Sequence, residues 1–450
     1  MIFLPILYKT YEKQINFIKI AMIREFWVEN FYSIKDRQTL NFEAKSNYDA
    51  FTSVMVDEKT RLNKIAILYG ANASGKTNFL VALQAIFSLL VNPKRDRSHK
   101  ISVYQPFALL KDKPTNMYVS FYHESIRYDY EISFNESYIL KEELIYYPNG
   151  SKALFYKRDF VSDSAAAKIS FGASVGIKKK TEDTFISRTL NNHTVLSTYT
   201  NTSFEEEIPK ISNLYNWIRN YVHNIDGDYS KTESIAEMLK KVESDDKMKS
   251  FYLQMIAKAD FNIVDFHYEE TPRVYSEKER KLIIENTSIP EQIKENILNG
   301  KKQDIIFTSK AGGNSFDLKI NDQSSGTLMF LRRLRLLYDM VTENHVYFLD
   351  EPESDLHYDL FLFYINTFIY NSEKTQLIMS SHLTSLLAED LINDQRDLIY
   401  FVEKDSETAS SSCKRADKFG LHKNQSLYNA YKTGKFGAKP ALGSPFILND

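Results

Sequence analysis

Cysteine occurs once in this 450-residue chain, at Cys413, so no internal disulfide framework holds it together, and such usage matches a reducing, cytoplasmic compartment. Glycine is scarce at 14 residues, which makes a glycine-patterned loop a rare chance event. Neither sign of charge dominates: 57 Lys and Arg against 59 Asp and Glu leave a formal charge of −2. No global basic field therefore advertises nucleic acid, and DNA binding would need a local basic patch. The candidates for one, Lys178-Lys179-Lys180 and Lys301-Lys302, read as solvated faces. Nine histidines show no metal-type spacing. A membrane-spanning run is missing too: Ile2-Phe3-Leu4-Pro5-Ile6-Leu7 is apolar, but Lys9, Glu12, Lys13 and Lys19 interrupt it. No basic residues precede that run, so no signal peptide is expected, and residues 1–21 read as a dispensable N-terminal extension. There is no internal repeat. With 43% hydrophobic and 26% charged residues, the composition is that of a soluble globular protein of two to four domains, or one large head with an insertion.

The stretch from Lys64 to Leu90 organises the rest. Lys64-Ile65-Ala66-Ile67-Leu68-Tyr69 is an apolar run of strand length, and Gly70-Ala71-Asn72-Ala73-Ser74-Gly75-Lys76-Thr77 follows without a spacer. That is G-x-x-x-x-G-K-T, a P-loop, which chance supplies on the order of once per few hundred chains of this length. Its glycines let consecutive N–H groups point at phosphate oxygens, and the positive end of the following helix adds to the field. Gly70, Asn72, Ala73, Ser74, Gly75, Lys76, Thr77 and Asn78 are the candidate ATP-binding residues; Lys76 reaches the β- and γ-phosphates, and the Thr77 hydroxyl ligates Mg²⁺. Phe79, Leu80, Leu83, Ile86, Phe87 and Leu90 recur at helical spacing until Asn92-Pro93 ends the helix.

Around this centre the chain divides. Residues 22–150 open with a hairpin, Phe26/Val28 against Leu40/Phe42, and close with three strand-like runs, Met117 to Phe121, Ile126 to Phe134 and Leu140 to Tyr147, that suit an antiparallel sheet. Residues 151–302 form a mixed, then helical insertion, with helices over Ile208 to Tyr221, Ser234 to Val242 and Met248 to Ala259 and no sustained heptads. Residues 303–450 return to alternation: a hairpin about Gly312-Gly313-Asn314, then Asn321-Asp322-Gln323-Ser324-Ser325-Gly326-Thr327 opening a helix. Val346-Tyr347-Phe348-Leu349 ends in Asp350-Glu351, Gln376-Leu377-Ile378-Met379 ends in Ser380-Ser381-His382, and Leu398 to Val402 is a further strand. Ala409-Ser410-Ser411-Ser412 reads as a serine-rich loop. Strands and helices alternating around a P-loop imply an α/β fold with a mostly parallel sheet covered on both faces, plus an antiparallel β subdomain.

Taken singly the later motifs are modest; an apolar strand followed by two acids is common in ordinary loops. Their order is specific. It resembles the ABC-type ATPase head of the P-loop NTPases, in which the parts are the Walker A loop, signature motif, Walker B strand, D-loop and switch histidine. By that resemblance Asp350 holds Mg²⁺ through its water shell, Glu351 polarises the attacking water, and His382 contacts the γ-phosphate. Ser354, Asp355 and His357 match the D-loop, and Gln105, before Pro106-Phe107, matches the Q-loop metal ligand. Ser324, Ser325 and Gly326 match the signature, which in this class faces the nucleotide of a second protomer, so ATP is expected to join two heads and a monomer to be a poor ATPase. Ser325 stands where transporter heads carry glycine, and His357 where they carry aspartate. The chain is similar instead to the soluble RecF, SMC and OLD branch, closest to stand-alone ATPases of bacterial phage-defence and abortive-infection systems such as the PARIS subunit AriA, the AbiL ATPase and the Septu ATPase PtuA. Glu29-Asn30-Phe31-Tyr32-Ser33-Ile34, Phe348 to Glu353, Phe401-Val402-Glu403-Lys404 and Tyr431 to Pro440 carry that likeness, which covers residues 22–150 and 303–441 and not the insertion.

Val402-Glu403-Lys404-Asp405-Ser406-Glu407 faintly resembles the first acidic motif of a Toprim nuclease, but a glycine is missing and no D-x-D follows, so a nuclease effector is expected on a separate chain. The resemblance thus implies a cytoplasmic, homodimeric or higher homo-oligomeric ATPase with ATP and Mg²⁺, acting as sensor or scaffold for a separate effector, a Toprim-type nuclease, and answering to a phage trigger protein. The alternative is a RecF- or SMC-like DNA-maintenance ATPase that clamps duplex DNA.

Overall fold

The computed structural model describes residues 20–45, 49–162, 167–223, 234–259, 261–354, 356–422 and 424–439. Most of the expected N-terminal extension, Asp355 of the D-loop and Pro440 lie outside them. Two compact units emerge, Met1–Asp228 with Met340–Ser354 and Asn366–Asp450, and Tyr229–Asp339 with Asp355–Ile365. These do not follow the linear boundaries read above: residues 151–228 belong to the first unit, and residues 303–339 to the second.

In chain order the described elements begin with β1 (Met22–Glu29), β2 (Gln38–Asn41), β3 (Ser53–Met55), β4 (Arg61–Asn63), β5 (Ile65–Tyr69) and α1 (Lys76–Val91). There follow β6 (Thr115–His123), β7 (Ile126–Phe134), β8 (Ile139–Tyr146), β9 (Ala153–Asp159), β10 (Lys168–Phe171), α2 (Lys179–Arg188), α3 (Val195–Thr198), α4 (Pro209–Tyr221) and β11 (Val222–His223). Next are α5 (Ile235–Glu243), α6 (Asp246–Lys258), β12 (Ile263–Pro272), α7 (Glu277–Glu285), α8 (Glu291–Leu298), β13 (Lys301–Ala311) and β14 (Asn314–Lys319). The chain finishes with α9 (Ser325–Thr342), β15 (Val346–Leu349), α10 (Tyr358–Asn371), β16 (Gln376–Ser381), α11 (Asp390–Asp394), β17 (Ile399–Lys404), β18 (Ser411–Arg415) and α12 (Leu427–Lys432).

The first unit is built on two large sheets, beside the small antiparallel pair β3-β4. One has the order β11-β15-β16-β5-β17-β18, parallel throughout except that β18 runs antiparallel to β17. Strands β5, β15 and β16 are buried along their whole length, as continuous apolar runs require in a sheet covered on both faces. The other sheet is antiparallel, β10-β9-β8-β7-β6-β1-β2. Helix α1 contacts β15 and β16 of the first sheet and β6 of the second, which explains why it is apolar nearly all round, with Phe79, Leu80, Leu83, Ile86, Phe87 and Leu90 buried. The buried Gln376 amide ties the sheets together: it accepts from Ile23 N–H at 2.7 Å and donates to the carbonyls of Ile23 and Asn63 at 2.9 and 3.1 Å.

Two elements depart from the sequence expectation here. The serine-rich segment after Ala409 is not all loop, because Ser411 to Arg415 pair with β17 as the edge strand β18. Strands β9 and β10 extend the antiparallel sheet into residues read as insertion. Both depend on pairing to a neighbour, and pairing leaves little mark on local composition.

In the second unit β12, β13 and β14 form an antiparallel sheet, with β13 and β14 joined at Gly312-Gly313 as the turn residues imply. Helices α5 and α6 pack on β12, burying Leu239, Val242, Tyr252 and Ile256. Strand β12 breaks the helical reading of the later part of the 151–302 insertion; its alternation is visible only once β13 supplies a partner.

A buried histidine of the first unit sets an acid limit on stability. His193 Nδ1–H donates to the Lys94 carbonyl at 3.2 Å and Nε2 accepts from Leu190 N–H at 3.1 Å, an arrangement of the neutral ring. Burial, reinforced by the Arg158 cation, lowers its pKa from 6.5 to about 4. Between those values the unfolded chain takes up a proton that the folded chain refuses, so stability falls as pH drops through this window, by on the order of 3 kcal/mol. Urea midpoints should decline from about pH 6.5 toward pH 4, and His193→Gln should flatten that decline.

Candidate functional site

The C-terminal ends of β5, β15, β16 and β17 converge on one edge of the parallel sheet. Because β16 and β17 flank β5 on opposite sides, this edge is a topological switch point, where open α/β sheets bind ligands. The loop after β5 is the P-loop. Gly75 has φ +106°, and a Cβ there would sit 2.4 Å from Ser411 Oγ and 2.7 Å from Ser33 Oγ, so no other residue fits. The loop is held from behind by a chain of polar contacts. Asn78 Nδ2 donates to Ser33 Oγ at 2.7 Å, Ser33 Oγ lies 2.7 Å from Ser411 Oγ, and the Ser411 hydroxyl donates to the Ser74 carbonyl at 2.6 Å. With its one proton committed to Ser74, Ser411 accepts from Ser33.

Lys76 begins α1 and is buried, its ammonium 3.1 and 3.3 Å from the Gly70 and Ala71 carbonyls and 3.3 Å from His382 Nε2. Burial lowers its pKa while Glu351, Asp350 and Glu353 oppose that. Thr77 Oγ1 donates to Asp350 Oδ2 at 2.9 Å, and the other Asp350 oxygen accepts from Ser380 Oγ. Glu351 adopts φ +47°, a strained conformation for a non-glycine residue, and is pinned there by its N–H donating to Ser380 Oγ at 3.0 Å. Its carboxylate meets His382 Nε2 at 2.5 Å. The loop carrying His382 is anchored by buried Glu353, whose Oε1 accepts from His382 N–H at 2.6 Å and Ser381 Oγ at 2.8 Å.

Asn72, Ala73, Gly75, Lys76, Thr77, Asn78, Glu351, His382 and Lys404 line a cleft of about 800 Å³. Against known families, residues 65–208 and 216–388 match the profile described as "AAA domain, putative AbiEii toxin, Type IV TA system". The chain belongs to this AAA family.

Among solved structures the family member is similar to the SMC head domain from Thermotoga maritima, at 14% identity over 87% of this chain and 98% of that one, with a TM-score of 0.38. It is also similar to an SMC head bound to the C-terminal winged-helix domain of ScpA, at 11% identity over 88% and 99% of the two chains, TM-score 0.41. No curated protein matches it.

In this AAA chain the P-loop residues, Asp350, Glu351 and His382 gather at one site. Gln105 does not join them: its amide donates to the Ser102 carbonyl at 3.5 Å, its backbone carbonyl accepts from Tyr32 N–H at 2.6 Å, and it does not line the cleft. It precedes the loop into β6, which Asn30 fixes by accepting from Phe107 N–H at 2.9 Å and donating to the Leu110, Lys113 and Pro114 carbonyls, and proximity in sequence to Pro106 does not direct its side chain. Ser354 Oγ caps the Glu351 carbonyl at 2.9 Å. His357 is exposed, 3.5 Å from Asp359. In the second unit Ser324 caps α9 through Thr327 N–H at 3.0 Å, with Ser324 and Ser325 exposed. Sequence reasoning missed Ser33, Ser380, Glu353, Ser411 and Lys404 as parts of the site. Ser380 and Glu353 were signalled by standing one or two residues from assigned positions, whereas nothing local marks Ser411.

The donor set fits Mg²⁺: a threonine hydroxyl and an aspartate oxygen 2.9 Å apart are hard oxygen ligands, and the rest of an octahedron falls to water and phosphate. Among the described residues no cluster of three or more His, Cys, Asp or Glu side chains offers a different metal site. No helix among them is long and apolar enough to cross a membrane. Gly75→Ala should lower ATP affinity at least tenfold by calorimetry, given its clash and strained φ. Ser411→Ala should cost about 1–3 kcal/mol of stability by exposing the Ser74 carbonyl and Ser33 to unmet pairing.

Proposed function

We propose that this AAA protein binds and hydrolyses ATP, and that hydrolysis controls a separate effector chain in a defence system of the abortive-infection kind. The observation that carries the enzymatic reading is the placement of Lys76, Thr77, Asp350, Glu351 and His382 around one cleft, with Glu351 and His382 in direct contact. Lys76 and the P-loop N–H groups bind and orient the phosphates; Thr77 and Asp350 hold the metal; Glu351 positions and deprotonates the attacking water; His382 holds the Glu351 carboxylate and faces the transferred phosphoryl group. When bound, Mg²⁺ neutralises charge developing on the phosphate oxygens. The backbone of Glu351 is pinned by Ser380 and its carboxylate is held by His382, so little reorganisation is left for the reaction.

A second copy supplies what this cleft does not contain. Ser324, Ser325 and the half-buried Gly326 form a helix N-terminus whose two serines are exposed, suited to receive a phosphate from outside the chain, which supports an ATP-joined homodimer with signature residues acting in trans. The family description, which names an AbiEii toxin and a type IV toxin–antitoxin system, supports the defence reading; on this proposal the effector is a Toprim-type nuclease and the trigger a phage protein. Glu351→Gln should preserve ATP binding, slow turnover by at least 10² and accumulate ATP-bound dimers in size-exclusion chromatography; a variant that hydrolyses normally would refute the assignment of the base. Co-purification with a nuclease chain, and loss of phage protection in Lys76→Ala, test the biological half.

A further inference from the structure

Lys404 is the cleft residue for which the catalytic assignment has no use, and it lies beyond residue 388, where the family match ends. It ends β17 and pairs in register with Ser411 of β18, the residue whose hydroxyl holds the Ser74 carbonyl of the P-loop. The hairpin that carries Lys404 is thus tied directly to the phosphate-binding loop. Both acids beside it are engaged elsewhere. Glu403 packs against Gly437, so closely that a Cβ on that glycine would lie 2.2 Å from Glu403 Oε2. Asp405 caps its own turn, accepting from Thr408 N–H and Thr408 Oγ1 at 2.7 Å each. No carboxylate among the described residues lies within ion-pair distance of Lys404, whereas Lys76 at the floor of the same cleft already donates to the Gly70 and Ala71 carbonyls.

We propose that Lys404 is a second phosphate-binding cation of the nucleotide site, contacting the α- and β-phosphates of a nucleoside di- or triphosphate held in the P-loop. An ammonium with no counter-ion at the mouth of a cleft lined by P-loop N–H groups selects an anion. Sheet order places it. Glu351 and His382 follow β15 and β16 on one side of β5, and Lys404 ends β17 on the other, so it stands away from the γ-phosphate chemistry. It therefore strengthens binding of ATP and ADP alike and leaves the chemical step alone.

The inference rests on the nucleotide-binding reading above, and calorimetric titration of full-length wild-type, Lys404→Ala and Lys404→Arg proteins with ATP and with ADP, alongside steady-state kinetics, separates the two. Lys404→Ala should weaken both nucleotides by the same factor, about tenfold, raise KM and hold kcat within about twofold, with Lys404→Arg restoring most of the affinity. Lys404 is exposed, so unchanged melting temperatures are expected and confirm that the variants are folded. If wild type binds ATP and ADP but Lys404→Ala binds them equally well, the lysine is a solvated rim residue and this assignment fails alone. A loss confined to ATP, or a fall in kcat with ADP affinity intact, also overturns it. If wild type binds neither nucleotide, the functional reading itself falls.

Discussion

The site depends on burying one ammonium among carbonyl oxygens. Lys76 is nearly inaccessible, and removing its charge from water is tolerated only because the Gly70 and Ala71 carbonyls accept from it and Glu351, Asp350 and Glu353 lie near enough to favour the charged form. That requirement propagates outward. The carboxylates must stand at the end of β15 and the histidine at the end of β16, with β16 beside β5 and β15 next beyond it, which is the order the sheet adopts.

Rigidity around this charge comes from small polar side chains. Ser380 receives the Glu351 N–H and gives its own proton to Asp350, fixing one carboxylate and the backbone that carries the other with a single hydroxyl. Ser33 and Ser411 brace the P-loop from the opposite side through Asn78 and Ser74. Each of these groups reaches the site from a different part of the chain, so the loop geometry is a property of the folded unit, in which preorganised donors and acceptors need little rearrangement as charge develops.

The likeness between the sequence expectation and the structure follows the range of the forces involved. Strand β5, the P-loop and α1 are consecutive, and their apolar periodicity and glycine placement specify them without reference to anything distant. Strands β15 and β16 are legible because a strand buried on both faces must be continuously apolar. Strands β9, β10, β12 and β18 are not, since each is half-exposed or at an edge and becomes a strand only when a neighbour offers its hydrogen bonds. The unit boundaries escape a linear reading for the same reason, since each unit gathers segments far apart in the chain.

Local chemistry alone therefore determined that this protein carries a phosphate-binding loop between a buried strand and a buried helix, together with an acidic pair and a histidine each ending an apolar strand. Backbone conformation and side-chain periodicity over a few residues suffice for that. Tertiary structure decided that Thr77 meets Asp350, that His382 meets Glu351, that Gln105 turns to Ser102, and that Ser411 and Lys404 join the cleft at all. Those outcomes turn on which strands lie side by side, and strand order is set by burial and hydrogen bonding summed over the whole sheet.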